Sequence, residues 1–219
     1  MDMLEIIRQR HSVRQFINKP IEDEKRDVLD KLTEQINKEN DLHIQIFYDE
    51  PKCFDSFMAH YGKFVGANNY IALVGKKSPK CDELLGYYGE MLVLKAQEIG
   101  LNTCWVALSH GKSKAIVSKG EKAGCIIALG YGCTQGVEHK SKPLNELCNY
   151  SPDMPKWFLE GMQAVSLAPT AINQQKFFFE LLPNNEVKAS WKMSFYTKVD
   201  LGIAKYHFEA VTNKKVITD

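Results

Sequence analysis

The chain reads as an α+β protein, and three observations carry that reading. Helical and extended segments follow one another without the regular strand–helix–strand rhythm of a doubly wound sheet. Two extended runs, 177–182 and 187–191, flank Pro183-Asn184-Asn185, whose turn chemistry makes an antiparallel hairpin. No stretch rich in Gly, Pro or Ser divides the 219 residues, and 44% apolar content supplies a buried core.

The elements follow in order. Residues 3–9 form a short helix with Leu4 and Ile7 inward. Pro20 precedes a longer helix. Its first turn holds Glu22, Asp23 and Glu24, where the helix dipole favours anions, and Val28, Leu29, Leu32 and Ile36 mark its inner face. Residues 43–47 alternate, with Ile44 and Ile46 on one face of a strand, and 70–74 is a short buried strand. The strongest helical pattern is 82–99. Leu84, Tyr88, Met91, Leu92, Lys95, Ala96 and Ile99 trace one side, and Gly100 is placed to end it. Residues 101–108 return to extended character, and 125–130 is a buried strand ending at glycine. A helix over 151–166 has Asp153 as its cap, Pro155 in its first turn, and Trp157, Phe158, Met162 and Val165 inward. After the hairpin, 200–211 is helical, with Leu201, Ala204, Phe208 and Val211 aligned.

The totals exclude several function classes. A net charge of +1 gives no global field for nucleic acid or an anionic membrane, so any basic site is local. No run approaches the ~20 apolar residues of a membrane helix. Asp2 and Glu5 break any secretory signal, so a cytoplasmic location is expected. The six cysteines form no Cys-x-x-Cys pair and read as reduced thiols. Cys133, His139 and Cys148 do not have zinc spacing, and no metal site is expected. Gly111-Lys112-Ser113 lacks the glycine of a phosphate loop, because position 106 is Val. Gly130-Tyr131-Gly132 lacks the third glycine of a dinucleotide fingerprint, because position 135 is Gln. No spacing selects a Ser–His–Asp triad.

What remains are stretches far apart in sequence. Arg10-His11-Ser12-Val13-Arg14-Gln15-Phe16 places two guanidiniums, an imidazole and a hydroxyl within seven residues, a grip suited to phosphate and carbonyl oxygens. This stretch resembles the opening motif of the FMN-dependent nitroreductases. Ala168-Pro169-Thr170-Ala171-Ile172-Asn173-Gln174-Gln175 resembles that family's Ala-Pro-Ser-x-x-Asn-x-Gln loop. Gly100-Leu101-Asn102-Thr103-Cys104-Trp105 is similar to its Gly-Leu-Gly-Thr-Cys-Trp segment, and Lys140-Ser141-Lys142-Pro143-Leu144-Asn145-Glu146-Leu147 to its basic segment. The family usually places the Ala-Pro-Ser loop soon after the opening motif. Here it follows the other three, as in the rearranged branch of TM nitroreductases, which Asp200-Leu201-Gly202-Ile203-Ala204 and His207-Phe208-Glu209 also resemble. Asn102 stands where glycine is common, and Lys176-Phe177 where Pro-Trp is common.

The resemblance implies a nitroreductase-like fold, with a central, mainly antiparallel sheet flanked by helices. It implies a single domain over 1–219, allowing two pseudo-symmetric halves of about 1–150 and 151–219. It implies FMN as cofactor, bound by Arg10, His11, Ser12, Arg14, Asn102, Thr103, Lys140, Lys142, Pro169, Thr170, Ala171, Asn173 and Gln175. Within that set, Arg10 and Ser12 take the phosphate and ribityl end, with Lys140 and Lys142 near the same phosphate. Arg14 faces the N1 and C2 carbonyl edge of the ring, and Asn173 the ribityl hydroxyls. Pro169 and Thr170 pack near the ring. Backbone N–H groups around Asn102 and Thr103 address N5 and O4. A surface ion pair with Glu22 or Asp23 is the plain alternative for Arg14. The implied activity is ping-pong hydride transfer from NADH or NADPH to a nitroaromatic, quinone or similar acceptor. It needs no protein acid or base, and a C2 homodimer is the expected assembly. A flavin-binding protein without turnover is the alternative from another class.

Overall fold

The computed structural model describes residues 2–218. Its helices are α1 (Met3–Gln9), α2 (Asp23–Asn40), α3 (Phe57–Tyr61), α4 (Cys81–Glu98), α5 (Leu144–Leu147), α6 (Lys156–Ser166) and α7 (Thr197–Thr212). Its strands are β1 (Gln45–Phe47), β2 (Asn69–Lys76), β3 (Asn102–Val106), β4 (Glu121–Gly130), β5 (Phe177–Leu181), β6 (Val187–Trp191) and β7 (Val216–Thr218). The chain divides into two compact units. The first comprises residues 9–81 and 91–138, and the second 2–8, 82–90 and 139–218.

The first unit is built on a four-stranded sheet of order β1-β2-β4-β3, antiparallel throughout. β2 and β4 are its centre, and every residue of β2 except Lys76 is buried. β3 ends the sheet and so has one open edge. The opening motif uses it: Ser12 bridges Thr103 in parallel, and the Val13 N–H donates to Thr103 O at 2.9 Å. One face of the sheet carries a core that includes Val13, Phe16, Phe54, Phe64, Tyr70 and Ala128. Phe47 stacks on Tyr70 there, with ring centres 4.9 Å apart. α2 buries Leu29, Thr33 and Ile36 but leaves Val28 exposed, so its inner face is narrower than the apolar pattern suggests. The Asn37 side chain exchanges two 2.8 Å hydrogen bonds with the backbone of Ile44 and so fixes the approach to β1.

The second unit holds a three-stranded sheet of order β5-β6-β7. The expected hairpin is β5–β6, antiparallel, and β7 adds parallel to β6. α6 and α7 pack through Phe158 and Phe208, whose rings are 5.7 Å apart, and Phe208 stacks on Phe179 of β5. Gly161 allows this approach, since a Cβ there would lie 2.4 Å from the Phe208 ring. The first half of α4 meets α7 backbone to backbone. A Cβ at Gly86 would lie 2.1 Å from Val199 O, and one at Gly202 would lie 2.0 Å from Glu83 O.

Two local expectations are corrected here. The buried face of α4 runs through Leu85, Gly86, Gly89, Leu92, Val93 and Ala96, while Leu84, Tyr88, Met91, Lys95 and Ile99 are only half-buried. Apolar residues occur all round this helix, so periodicity does not select the close-packed side, and the glycines do. Asp153 does not cap α6; extended Pro155 occupies the N-cap position. The six cysteines are free, five buried and Cys133 exposed. Among the described residues no helix is long and apolar enough to cross a membrane, and no cluster of His, Cys, Asp and Glu could hold a metal.

Candidate cofactor-binding site

The expected site residues fall into two clusters, one in each unit. In the first unit the opening motif lies against the sheet edge, held by main-chain bonds. Besides the Thr103 pairing, Phe16 N–H donates to Val65 O and Val65 N–H to Arg14 O, at 2.9 and 3.0 Å. Val13 and Phe16 are buried, while Arg14 and Gln15 between them are exposed. Arg10 is buried, while His11 and Ser12 are half-buried. The imidazole of His11 is held below its usual pKa by burial and then by the Arg10 charge, with Glu138 opposing. Burial pushes the Cys104 thiol up, against the nearby Arg14 and Arg10 charges and a hydrogen bond with Ser12.

Arg14 is not paired with either acid considered for it. Glu22 is taken by Lys19 at 2.8 Å and by the Tyr131 hydroxyl, and among the described residues Arg14 makes no ion pair. Asn102 is buried and its side chain works on a neighbouring loop. Its Oδ1 accepts from Gly132 N–H at 2.9 Å and its Nδ2 donates to Gln135 Oε1 at 3.0 Å. A glycine at 102 would hold neither, so this departure from the family pattern has a structural use. Gly136 follows on the same loop, and a Cβ there would lie 2.7 Å from the His11 Cβ.

In the second unit the basic segment and the Ala-Pro-Thr loop are knitted together. Gln175, 3% exposed, is the knot. Its Oε1 accepts from Lys142 N–H at 2.8 Å, and its Nε2 donates to Lys140 O at 3.0 Å and Asn173 Oδ1 at 2.8 Å. Gln175 N–H donates to Thr170 Oγ1, and Asn173 Nδ2 to Lys140 O. Lys142 Nζ donates to the carbonyls of Gln174 and Gln175, both at 3.1 Å. Two of its three donors are therefore used on the loop. Pro169, Thr170 and Ala171 are half-buried, whereas Asn173 and the Lys140 side chain face solvent. The loop is conformationally costly: Ile172, Asn173 and Gln175 have φ of 46°, 56° and 45°.

Two residues here had no assigned role in the sequence reading. Asp200, in the first turn of α7, is 3% exposed. Its Oδ1 accepts from Ala171 N–H at 3.0 Å and its Oδ2 from Gln174 Nε2 at 2.7 Å. Burial pushes its carboxyl up to about 6, with those two hydrogen bonds opposing. Gln174 Nε2 also reaches Phe195 O at 2.9 Å, which fixes the orientation of the amide. Its Oε1 is buried and has no hydrogen-bond partner among the described residues. The motif contained Gln174, and the Asp200 segment carried a family likeness, but neither signal gave a role.

The family model described as "Putative TM nitroreductase" matches residues 2–212. No curated protein matches the chain significantly. Among solved structures, a "putative nitroreductase" from Thermotoga maritima has a TM-score of 0.73 at 23% identity, covering 98% of this chain and 87% of its own. A "putative nitroreductase in complex with FMN" from Desulfovibrio desulfuricans has a TM-score of 0.56 at 19% identity, covering 70% and 98%. A "putative NADH dehydrogenase/NAD(P)H nitroreductase" from Bacteroides thetaiotaomicron has a TM-score of 0.52 at 22% identity, covering 66% and 95%. At these identities the likeness establishes the fold: mixed α and β, of the nitroreductase type.

Proposed function

Since the chain belongs to the TM nitroreductase family, a family of oxidoreductases, we propose that it is an FMN-dependent NAD(P)H oxidoreductase. The observation that carries the reading is the loop of residues 168–175, tied by Gln175, Asn173 and Lys142 to the basic segment. It presents an exposed Asn173 and a buried acceptor, Gln174 Oε1, that lacks a donor among the described residues.

The donor chemistry fits FMN. A phosphate needs guanidinium, hydroxyl and ammonium donors, and Arg10, Ser12, Lys140 and Lys142 supply them. Ribityl hydroxyls both donate and accept, which suits the Asn173 amide and the Gln174 oxygen. Arg14, exposed and without an ion pair among the described residues, is a fixed cation for the N1 and C2 carbonyl edge. There it favours the redox state with more negative charge. Pro169, Thr170 and Ala171 give the ring a surface. The backbone at Asn102 and Thr103 and the imidazole of His11 complete the set. FMN, when bound, supplies hydride acceptance from NAD(P)H and delivery of electrons to a nitroaromatic, quinone or similar acceptor, by turns at one face. The protein supplies position and field, and no side chain is assigned as acid or base. A C2 homodimer in the cytoplasm is the proposed working form.

The test is spectroscopic. Protein purified with excess FMN should be yellow, and NAD(P)H added without oxygen should bleach it. Bound FMN that neither NADH nor NADPH reduces would replace this reading with the non-catalytic one. Protein that takes up no FMN contradicts both.

A further inference from the structure

The shape of the loop raises a question that the cofactor contacts do not answer. Three of its residues, Ile172, Asn173 and Gln175, sit in left-handed backbone, and none is glycine. Such a shape persists only when its surroundings over-determine it. Gln175 secures one end. At the other, both oxygens of one buried carboxylate are used.

We propose that Asp200, as a carboxylate, is the positioning residue of the cofactor loop. It holds residues 171–174 in the shape that offers Asn173 to FMN, and it loosens them when protonated. The proposal rests on the FMN reading above, although its first half concerns the protein alone.

Ala171 N–H and Gln174 Nε2 both donate, one to each carboxylate oxygen. Only the ionised group presents acceptors alone. An asparagine carries a donor-only NH2 on one of those two atoms, so one bond is lost; a protonated Asp200 carries its proton on one of them and accepts there only weakly, so that bond is weakened. The Gln174 amide cannot turn over to compensate, because its Nε2 also donates to Phe195 O. Loss or weakening of the Ala171 or Gln174 bond frees the residues on either side of Ile172, whose backbone is disfavoured and whose side chain is 81% exposed. Ile172 therefore adds little packing to hold the shape.

The charges around Asp200 face other partners. On α7, Lys198 lies over the Trp191 ring, Lys205 bonds Glu83, and His207 bonds Glu90 and Ala164 O. Lys142 reaches the same loop through the Gln174 and Gln175 carbonyls. The two groups that oppose the effect of burial on Asp200 are the neutral donors already named. Burial alone sets the direction, and it brings the change of state to about pH 6. Burying a charge with so little compensation opposes folding, and such groups gather at functional sites.

The test uses the whole chain and Asp200→Asn. In cofactor-free protein, amide hydrogen exchange is measured over 168–175, with a β4 segment as internal reference, at about pH 7.5 and about pH 5. The variant should exchange about tenfold faster in the loop at the higher pH, and the two proteins should converge at the lower. FMN affinity, followed by quenching of flavin fluorescence, should show the same pattern: about tenfold weaker in the variant at pH 7.5 and equal at pH 5. Because the phosphate of FMN itself titrates near pH 6, the comparison is between the two proteins at each pH. If the variant does not fold, the wild-type chain decides, since its loop protection relative to β4 should fall as pH drops through about 6. Equal loop exchange in the two proteins at pH 7.5, or a wild-type loop indifferent to pH, overturns the assignment. A faster-exchanging variant loop with unchanged FMN affinity overturns the role toward FMN. If the wild-type chain never takes up FMN but the exchange difference is present, the cofactor reading fails and the pin stands.

Discussion

The opening motif and the 168–175 loop solve the same problem in different ways. The first is held by its backbone: Val13 bonds to Thr103 at the edge of a sheet, and Arg14 and Phe16 bond to the main chain of Val65. Arg14, exposed on this stretch, makes no ion pair among the described residues. The second is held by side chains, with Gln175, Asn173, Lys142 and Asp200 each spending hydrogen bonds on the loop itself. Backbone pairing tolerates change in the side chains it displays. A side-chain network does not, because each lost partner strands a buried donor or acceptor.

The comparison breaks most readily in the side-chain-held unit. His207 and Glu90 are both fully buried, and His207 also bonds Ala164 O, so one imidazole joins three helices. His207→Ala leaves a buried carboxyl without this partner, and chemical denaturation should register a loss of about 3–5 kcal/mol. A loss below about 1 kcal/mol would mean that buried polar pairs do not carry this unit.

Asp200 gives the next largest effect, with a sign opposite to the usual carboxylate. Its pKa in the fold, about 6, lies above the ordinary 3.8. Between those values the folded state binds the proton and the unfolded state does not, so this group's contribution to stability falls as pH rises through the window. The difference of about two units is worth up to about 3 kcal/mol. Relative to wild type, Asp200→Asn should therefore gain global stability as pH rises from about 4 to about 7, while its loop loosens. Denaturant midpoints across that range decide it, and a constant gap contradicts it.

Arg14→Ala should behave in the contrary way. Its side chain is exposed and its segment is backbone-held, so stability should change by less than about 0.5 kcal/mol. FMN affinity should fall about tenfold or more, the worth of a charged hydrogen bond. A drop in melting temperature without a drop in affinity would reverse the comparison. The smallest effect is expected at Ile172, an exposed β-branched residue in left-handed backbone. Asn tolerates that region better, and Ile172→Asn should stabilise by about 1 kcal/mol.

Much of the fold could be read from the sequence, because its signals are local. The β5–β6 hairpin follows from Pro183-Asn184-Asn185, and the end of α4 from Gly100, which has φ of 79°. What could not be read depends on partners far away in the chain. The packed face of α4 is chosen by Val199 O meeting Gly86, not by the apolar pattern. β7 is three residues long and pairs in parallel with β6, which a local pattern cannot announce. Asp200 only opens the helical pattern of 200–211 in the sequence; tertiary burial makes it a pin for the loop. The motifs identified the residues of both clusters, but nothing in them says that Lys142 and Gln175 are already bonded to each other.

The central proposal is that residues of each cluster contact FMN. Titration of the whole chain with FMN, followed by absorbance at about 450 nm, tests it with Arg14→Ala from one unit and Asn173→Ala from the other. The account predicts one FMN per chain and about tenfold or greater weakening by either substitution. Unchanged affinity in either variant would contradict it.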